Sequence, residues 1–329
     1  MVFSLKITII GAGAWGTGLA INFANRHTVT LVADDAAHAD AINRTHENAR
    51  YLSGHKLPDA IVAVAAIADA VTADLVLIAT PVAGLRSSLL LLKQFVPQVP
   101  LLWVCKGLEA NSGLLPHQVV AEVHPGPASG VLTGPSFAEE VARGLPTAIV
   151  LASDDAAFAR NTAQALHGGS LRIYANDDLI GAEVGGAVKN VLAIATGISD
   201  GLGLGLNARA ALVTRGLAEI TRFGVALGAR SDTFMGLAGV GDLILTCTGD
   251  LSRNRRVGFL LASGTPLEQI TRELGHVAEG VPAAREVAVR AKQLGIDMPI
   301  TNAVVAVLDG KLTPREAVGQ LMTRDPKAE

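Results

Sequence analysis

The chain has 329 residues, half of them hydrophobic, with a formal net charge of −3 at pH 7. That length suits two domains of ordinary size, each with its own core, and 27 dispersed Lys and Arg against 30 Asp and Glu give no broad basic surface for nucleic acid. Apolar runs such as 89–92 and 191–195 are cut by Lys, Asn, Gly or Asp before bilayer length, so no membrane span is expected. The opening MVFSLK leads straight into a strand without room for a signal peptide, and cytoplasmic residence is expected. Cys105 and Cys247 lie in apolar surroundings without ligand spacing and read as buried free thiols.

In chain order, an apolar run at 7–10 enters Gly11-Ala12-Gly13-Ala14-Trp15-Gly16, and 17–25 reads as a helix. This strand, glycine turn and helix suit a dinucleotide. Gly11 permits the turn, Gly13 lets backbone approach a diphosphate, Gly16 lets the helix lie close, and the helix N-terminus presents N–H groups to the anion. The next strand, 29–33, ends in Asp34 and Asp35, at the spacing of a ribose-binding acid.

Short buried strands follow at 61–64, 75–79, 100–105, 130–133, 147–151 and 171–174, which makes a sheet of eight. The Ala-rich stretch 65–73 suits a crossover helix, 84–95 is a second helix, and Asp154 is placed to cap a third that runs to His167. From 178 onward apolar residues recur at helical spacing with Gly and Pro punctuation. The expected fold is α/β: an N-terminal Rossmann-type dinucleotide-binding domain, 1–177, and an all-helical substrate domain, 178–329.

Lys189 lies on a predicted helix beside Gly181, Ala182, Gly185, Gly186 and Ala187, small residues that let a backbone or ligand come close. Two readings stand: a proton donor whose pKa its neighbours lower, or a lysine snorkelling to solvent. Asp242, a polar point inside GLAGVGDLILTCTGD, needs a cation or several donors, and Lys189 is a candidate partner. Ser252-Arg253-Asn254-Arg255-Arg256 precedes another helical run and reads either as an anion site or as a capped helix with solvated arginines. Lys106 and the segment 133–138 follow strand ends that open toward a ligand crevice. Glu279 reads better as a cap of the following helix than as a nicotinamide contact. His46, His117 and His124 read as surface or loop residues, and no metal site is indicated.

Taken together, GAGAWGTGLA, YLSGHKLP, ATPVAGLR, CKGLE, TGPSFAEEVARGLPTA, GAEVGGAVKNVLAIATGISDGL, GLAGVGDLILTCTGDLSRNRRVG and VAEGVPAA closely resemble the bacterial NAD(P)-dependent glycerol-3-phosphate dehydrogenases across nearly the whole chain. The resemblance implies interconversion of dihydroxyacetone phosphate and sn-glycerol 3-phosphate, early in phospholipid synthesis. It implies Lys189 as the catalytic lysine, with Asn190, Asp242 and Thr246 as polar neighbours. Lys106, Gly134, Ser136, Ser252, Arg253 and Asn254 match substrate-binding positions. Trp15, Lys106, Ala138, Arg253, Val277 and Glu279 match positions near the dinucleotide.

Two departures from that pattern matter. Ala14 replaces a frequent Ser in the glycine turn, which leaves the backbone donors in place. Val32 and Asp34 stand where many relatives carry Trp and Arg; a carboxylate accepts from a ribose 2′-OH and repels a 2′-phosphate, so NADH is expected over NADPH. The rival readings are a related Rossmann reductase of another small ketone and a noncatalytic nucleotide sensor. Apolar helical faces in the second domain suit a homodimer.

Overall fold

The computed structural model describes residues 4–70, 72–274 and 278–325. The chain divides into two compact units, Met1–Lys106 with Leu114–Ala182, and Gly107–Gly113 with Glu183–Glu329.

The first unit is built on alternating strands and helices. β1 (Lys6–Ile10) passes through the glycine turn to α1 (Ala14–Phe23), then come β2 (Thr28–Val32), α2 (Ala36–Thr45), β3 (Glu47–Asn48), β4 (Leu52–Lys56) and β5 (Ile61–Val64). β6 (Leu75–Ile78), α3 (Val82–Phe95), β7 (Leu101–Trp103), α4 (Pro116–Val123), β8 (Ser129–Thr133), α5 (Ala138–Ala142), β9 (Thr147–Ala152), α6 (Ala156–Leu166) and β10 (Leu171–Asn176) complete it. Eight strands form one sheet in the order β10-β9-β8-β7-β6-β1-β2-β5, with β3 and β4 as a separate antiparallel pair. Every neighbouring pair in the large sheet is parallel except β8 with β9. Its strands are apolar because both faces are covered: Ile7, Ile9, Leu31, Leu77, Leu102 and Leu132 pack with Leu19 and Phe23 of α1. Strand order reverses direction between β1 and β6, the place where a parallel sheet opens a crevice at its C-terminal edge.

All eight expected sheet strands are present, with shifted ends. The helix expected at 65–73 is a correction: among its described residues only a 3-10 turn, Ile67–Ala70, forms, and its buried residues, Ile67 and Ala70, are three apart, the spacing that aligns in a 3-10 helix. α1 begins three residues earlier than expected because the glycine turn itself supplies its first turn. α6 is capped by Asp155, not Asp154; the Asp155 carboxylate accepts from the N–H groups of Ala157 and Phe158.

The helical unit begins within α7 (Leu179–Gly201) and continues through α8 (Gly205–Ala226), a 3-10 turn (Ser231–Met235), a π-helical turn (Leu237–Gly241), α9 (Asp242–Thr248), α10 (Arg253–Ala262), α11 (Leu267–Leu274), α12 (Gly280–Gln293), α13 (Pro299–Leu308) and α14 (Pro314–Met322). α7 is long and apolar enough to cross a bilayer, contrary to the reading of its sequence as too interrupted, but 94% of its most apolar window is buried inside the protein. It is a core helix. Its glycines, unfavourable for a helix in isolation, are where other backbones press against it: a Cβ at Gly197 or Gly201 would run into Arg255, Phe259 and Ala262 of α10.

Candidate active site

In the first unit, the glycine turn lies against the end of β6. Gly11 has φ +111°, and a Cβ there would come within 2.9 Å of the Ala79 carbonyl carbon, so glycine is required on both counts. Gly16 faces the Gly11 carbonyl and the Ala79 side chain, which lets α1 start directly over the turn. Gly13, by contrast, has nothing within 4 Å of where a Cβ would be, and no side chain caps the N-terminus of α1 that it opens. An uncapped helix end beside open space fits a dinucleotide diphosphate, whose charge the N–H groups of Ala14 and Trp15 would meet.

Asp34 and Asp35 follow β2 directly, and their side chains are 48% and 52% exposed. Partial burial would raise the Asp34 carboxyl, but the hydrogen bond from His38, its own backbone N–H and the charge of Arg50 outweigh it and hold it below the usual carboxylate range. Asp34 is thus an anion at neutral pH, suited to accept from hydroxyls and to repel a phosphate. Asp35 caps α2, its carboxylate accepting from the N–H of His38 at 2.7 Å.

Lys106 lies three residues beyond β7 and is half-buried. After β8, Gly134 adopts φ +127° and lies over Ile149, and the Ser136 hydroxyl donates to the Gly134 carbonyl at 3.0 Å. Ala138 opens α5, and its carbonyl sits against Gly18 of α1. These residues therefore belong with the glycine turn in one unit. Cys105 is a buried free thiol here, as is Cys247 in the helical unit, where desolvation pushes the thiol up to about 12.

The helical unit holds the buried charge pair. Gly185 is one turn before Lys189, and a Cβ there would strike the Ala238 carbonyl, so the π-helical turn can press onto α7 only because residue 185 is glycine. That approach delivers Asp242, the first residue of α9, to Lys189. Lys189 Nζ donates to Asp242 Oδ1 and, at 2.8 Å, to Thr246 Oγ1, while the Thr246 hydroxyl donates to the Asp242 carbonyl at 2.7 Å. Lys189 is 7% exposed, Asp242 0% and Thr246 6%. The snorkelling reading of Lys189 is excluded. Nζ is held inside the helical unit by groups of α9.

Next to the pair, Asn254 donates from Nδ2 to Asn190 Oδ1 and accepts at Oδ1 from the Gly280 N–H, both at 3.0 Å. Ser252 caps α10, accepting from the Arg255 N–H, which leaves its hydroxyl hydrogen for another acceptor. Arg255 is committed to Asp200 and Asp250, and Arg209 also binds Asp200. Arg253 and, on the same helix, Arg256 are exposed and make no ion pair among the described residues. Glu279 occupies the N-cap position of α12, where its carbonyl accepts from the Ala283 N–H at 3.2 Å and its side chain makes no capping bond. Val277 lies outside the described residues. His124 is 3% exposed rather than a surface residue, with its pKa lowered by desolvation and by nearby Lys93. Among the described residues no His, Cys, Asp and Glu cluster suits a metal ion.

Sequence reasoning missed the surroundings of Asp34, namely His38, Asn48 and Thr17, and the Asp200 pairing. His38 follows Asp34 by four residues, one helical turn, but the other partners are 9 to 55 residues apart and leave no local signal beyond polarity.

Comparison with known proteins bears on these two sites together. The N-terminal family profile of NAD-dependent glycerol-3-phosphate dehydrogenase matches residues 6–159, and the C-terminal profile matches 178–319. The chain belongs to this family. It is 62% identical to a glycerol-3-phosphate dehydrogenase [NAD(P)+] of Dechloromonas aromatica and 58% identical to one of Aromatoleum aromaticum, covering 99% of this chain in each case and 99% and 100% of the relatives. A crystal structure of glycerol-3-phosphate dehydrogenase from Coxiella burnetii superposes with a TM-score of 0.94 at 40% identity, over 98% of this chain and 99% of that one. The Rossmann-type first unit and helical second unit are thus those of the glycerol-3-phosphate dehydrogenases.

Proposed function

We propose that Lys189 is the proton donor and acceptor in the NAD(P)H-dependent interconversion of dihydroxyacetone phosphate and sn-glycerol 3-phosphate, the reaction of the family to which the chain belongs. The observation that carries this role is the buried Nζ, an ammonium group brought against the carboxylate of Asp242 and the hydroxyl of Thr246. When bound, NAD(P)H supplies the hydride that reduces the ketone carbon. Lys189 then stabilises the developing alkoxide oxygen and transfers a proton from Nζ to it; in the oxidising direction the neutral amine takes that proton from the C2 hydroxyl. Asp242 orients Nζ and stabilises its positive charge, and Thr246 fixes the remaining direction of approach.

We assign 1–177 to the cofactor and 178–329 to the substrate. Gly11, Gly13, Ala14, Trp15 and Gly16 hold the diphosphate, and Asp34 the adenosine ribose. Ala138, Val277 and Glu279 complete the cofactor set. Arg253 and the hydroxyl of Ser252 hold the substrate phosphate, Asn254, Gly134 and Ser136 line the substrate, and Lys106 adds positive charge. The Asp34 anion supports a preference for NADH. Supply of glycerol phosphate for phospholipid assembly, in the cytoplasm, belongs to the same reading, as does a homodimer, which the exposed Leu206, Phe259 and Val289 of the helical unit support.

The test is oxidation of NADH and, separately, NADPH by the purified protein, followed by absorbance with dihydroxyacetone phosphate present or absent. Turnover that requires the phosphate ester and is faster with NADH is expected. Equal or better kcat/KM with NADPH removes Asp34 from cofactor selection; substrate-independent or absent oxidation removes the assignment of the site.

A further inference from the structure

The carboxylate of Asp34 is tied from behind to the glycine turn. Asp34 Oδ1 is 2.6 Å from His38 Nδ1, and His38 Nε2 is 3.0 Å from Asn48 Oδ1. Asn48 Nδ2 donates to the Ala12 carbonyl and to Thr17 Oγ1, both at 2.8 Å. A carbonyl only accepts, so the Asn48 amide has its nitrogen toward Ala12 and its oxygen toward His38. The Asp34 carboxylate only accepts, so His38 donates to it from Nδ1, while Nε2 faces the Asn48 amide oxygen. His38 is 7% exposed and Asn48 and Thr17 are 0% exposed, so water does not compete for the bonds from His38 through Asn48 to the turn. Ala12 is the middle residue of the turn expected to hold the diphosphate.

On the outer side, Asp34 Oδ2 meets Arg50 at 3.1 Å and the Tyr51 hydroxyl at 3.4 Å. Arg50 also reaches Asp35 at 3.3 Å and is 52% exposed. One carboxylate oxygen is thus fixed from the interior and the other is shared among surface partners that a ribose hydroxyl can replace.

We propose that His38 is the positioning residue for cofactor selection: it holds the Asp34 carboxylate in register with the glycine turn, so that a fixed acceptor meets the adenosine ribose where the turn meets the diphosphate. This rests on the reading of Asp34 as the ribose acid. A carboxylate released from His38 turns toward Arg50, loses its alignment with the ribose hydroxyls and discriminates less against a 2′-phosphate.

The experiment is titration of NADH and NADPH by fluorescence without substrate, giving Kd for each, alongside kcat/KM with dihydroxyacetone phosphate. The amide of Gln reaches about as far as Nε2 of His and that of Asn about as far as Nδ1. H38Q therefore keeps the link to Asn48 and gives up Asp34, whereas H38N keeps a donor for Asp34. H38Q is expected to weaken NADH about tenfold, the loss of one charge-assisted bond, with much less effect on NADPH and on kcat. H38N is expected to restore the parental ratio of the two Kd values. Equal weakening of both cofactors by H38Q is what a purely structural role gives, and it overturns the proposal, as does unchanged NADH binding. If H38Q does not fold, His38→Leu, which lacks both donors, is read in the same way. D34N separates the two levels: a ratio unchanged in D34N refutes Asp34 as the ribose acid, whereas a ratio narrowed by D34N and untouched by H38Q refutes His38 alone.

Discussion

Asp242 is fully buried, and an isolated carboxylate in that position would cost several kcal/mol. Lys189 supplies the counter-charge, and Thr246, one turn along α9, accepts a second ammonium proton. Both the stability of the site and the chemistry proposed for it therefore depend on the same nitrogen. Lys189→Ala is expected to lower kcat by roughly 10²–10⁴, the range for a lost general acid, while the Kd for NADH stays within about twofold. The variant should also be less stable by about 3–5 kcal/mol, because Asp242 is left unpaired; steady-state kinetics below its melting temperature, with far-UV circular dichroism, separate the effects. A folded variant with near-parental kcat would remove Lys189 from the reaction. At this scale the sequence identified the residue types: a Lys on a small-residue helix face and an Asp in an apolar run each called for a partner. That they are partners of each other depends on Gly185 admitting the turn that carries Asp242.

Among the elements, α7 is surrounded by other helices and has Gly185, Gly197 and Gly201 at points of backbone contact, so its hydropathy resembles that of a bilayer span while its environment is the protein core. α8 and α13 are joined by a different device. Glu219 of α8 is 1% exposed and accepts from the N–H groups of Ile300 and Thr301 and from the Thr301 hydroxyl, so it caps α13 from another helix. Burial raises the Glu219 carboxyl despite the three hydrogen bonds and nearby Arg222, which act to lower it. Glu219→Ala leaves two buried N–H groups without acceptors, and at about 1–3 kcal/mol each it is expected to destabilise the protein by about 2–6 kcal/mol in urea unfolding, with Glu219→Gln intermediate. Parental stability in the Ala variant would mean that other acceptors take over the cap. Periodicity in the sequence gave these helices but not the cap, since a Glu 81 residues before its acceptor site leaves no local pattern. The error over 65–73 has the opposite cause: Ala-rich composition favours a helix, but the turn buries residues three apart, Ile67 and Ala70, which a single 3-10 turn satisfies.

For the whole molecule, net charge and dispersed cations leave pH sensitivity to a few buried groups. His27 is 4% exposed, accepts from the Leu5 N–H at Nδ1 and faces the Ala165 carbonyl with Nε2, an arrangement that the neutral ring satisfies. Desolvation, aided by Arg26, lowers its pKa against the opposing pull of Ala165. A histidine lowered in the folded state contributes stability that is fully present above its unfolded value, about 6.5, and lost as pH falls through the folded value. The melting temperature is therefore expected to hold above about pH 6.5 and to fall as pH is lowered below it, with His124 acting in the same direction. His27→Gln should flatten part of that slope; an identical slope in the variant would mean that the pH dependence has another source.

The sequence by itself determined the alternation that makes an eight-stranded sheet, the glycine turn, the switch to helices after 178 and the family. Each of these depends on local period, on residues with special backbone freedom or on ordered motifs. Tertiary structure alone decided that Lys189 meets Asp242, that Arg255 is spent on Asp200 while Arg253 stays exposed, and that Asp34 is tied through His38 and Asn48 to Ala12. Polar side chains in a low-dielectric interior must find partners wherever packing brings them, and packing joins residues that sequence spacing keeps far apart.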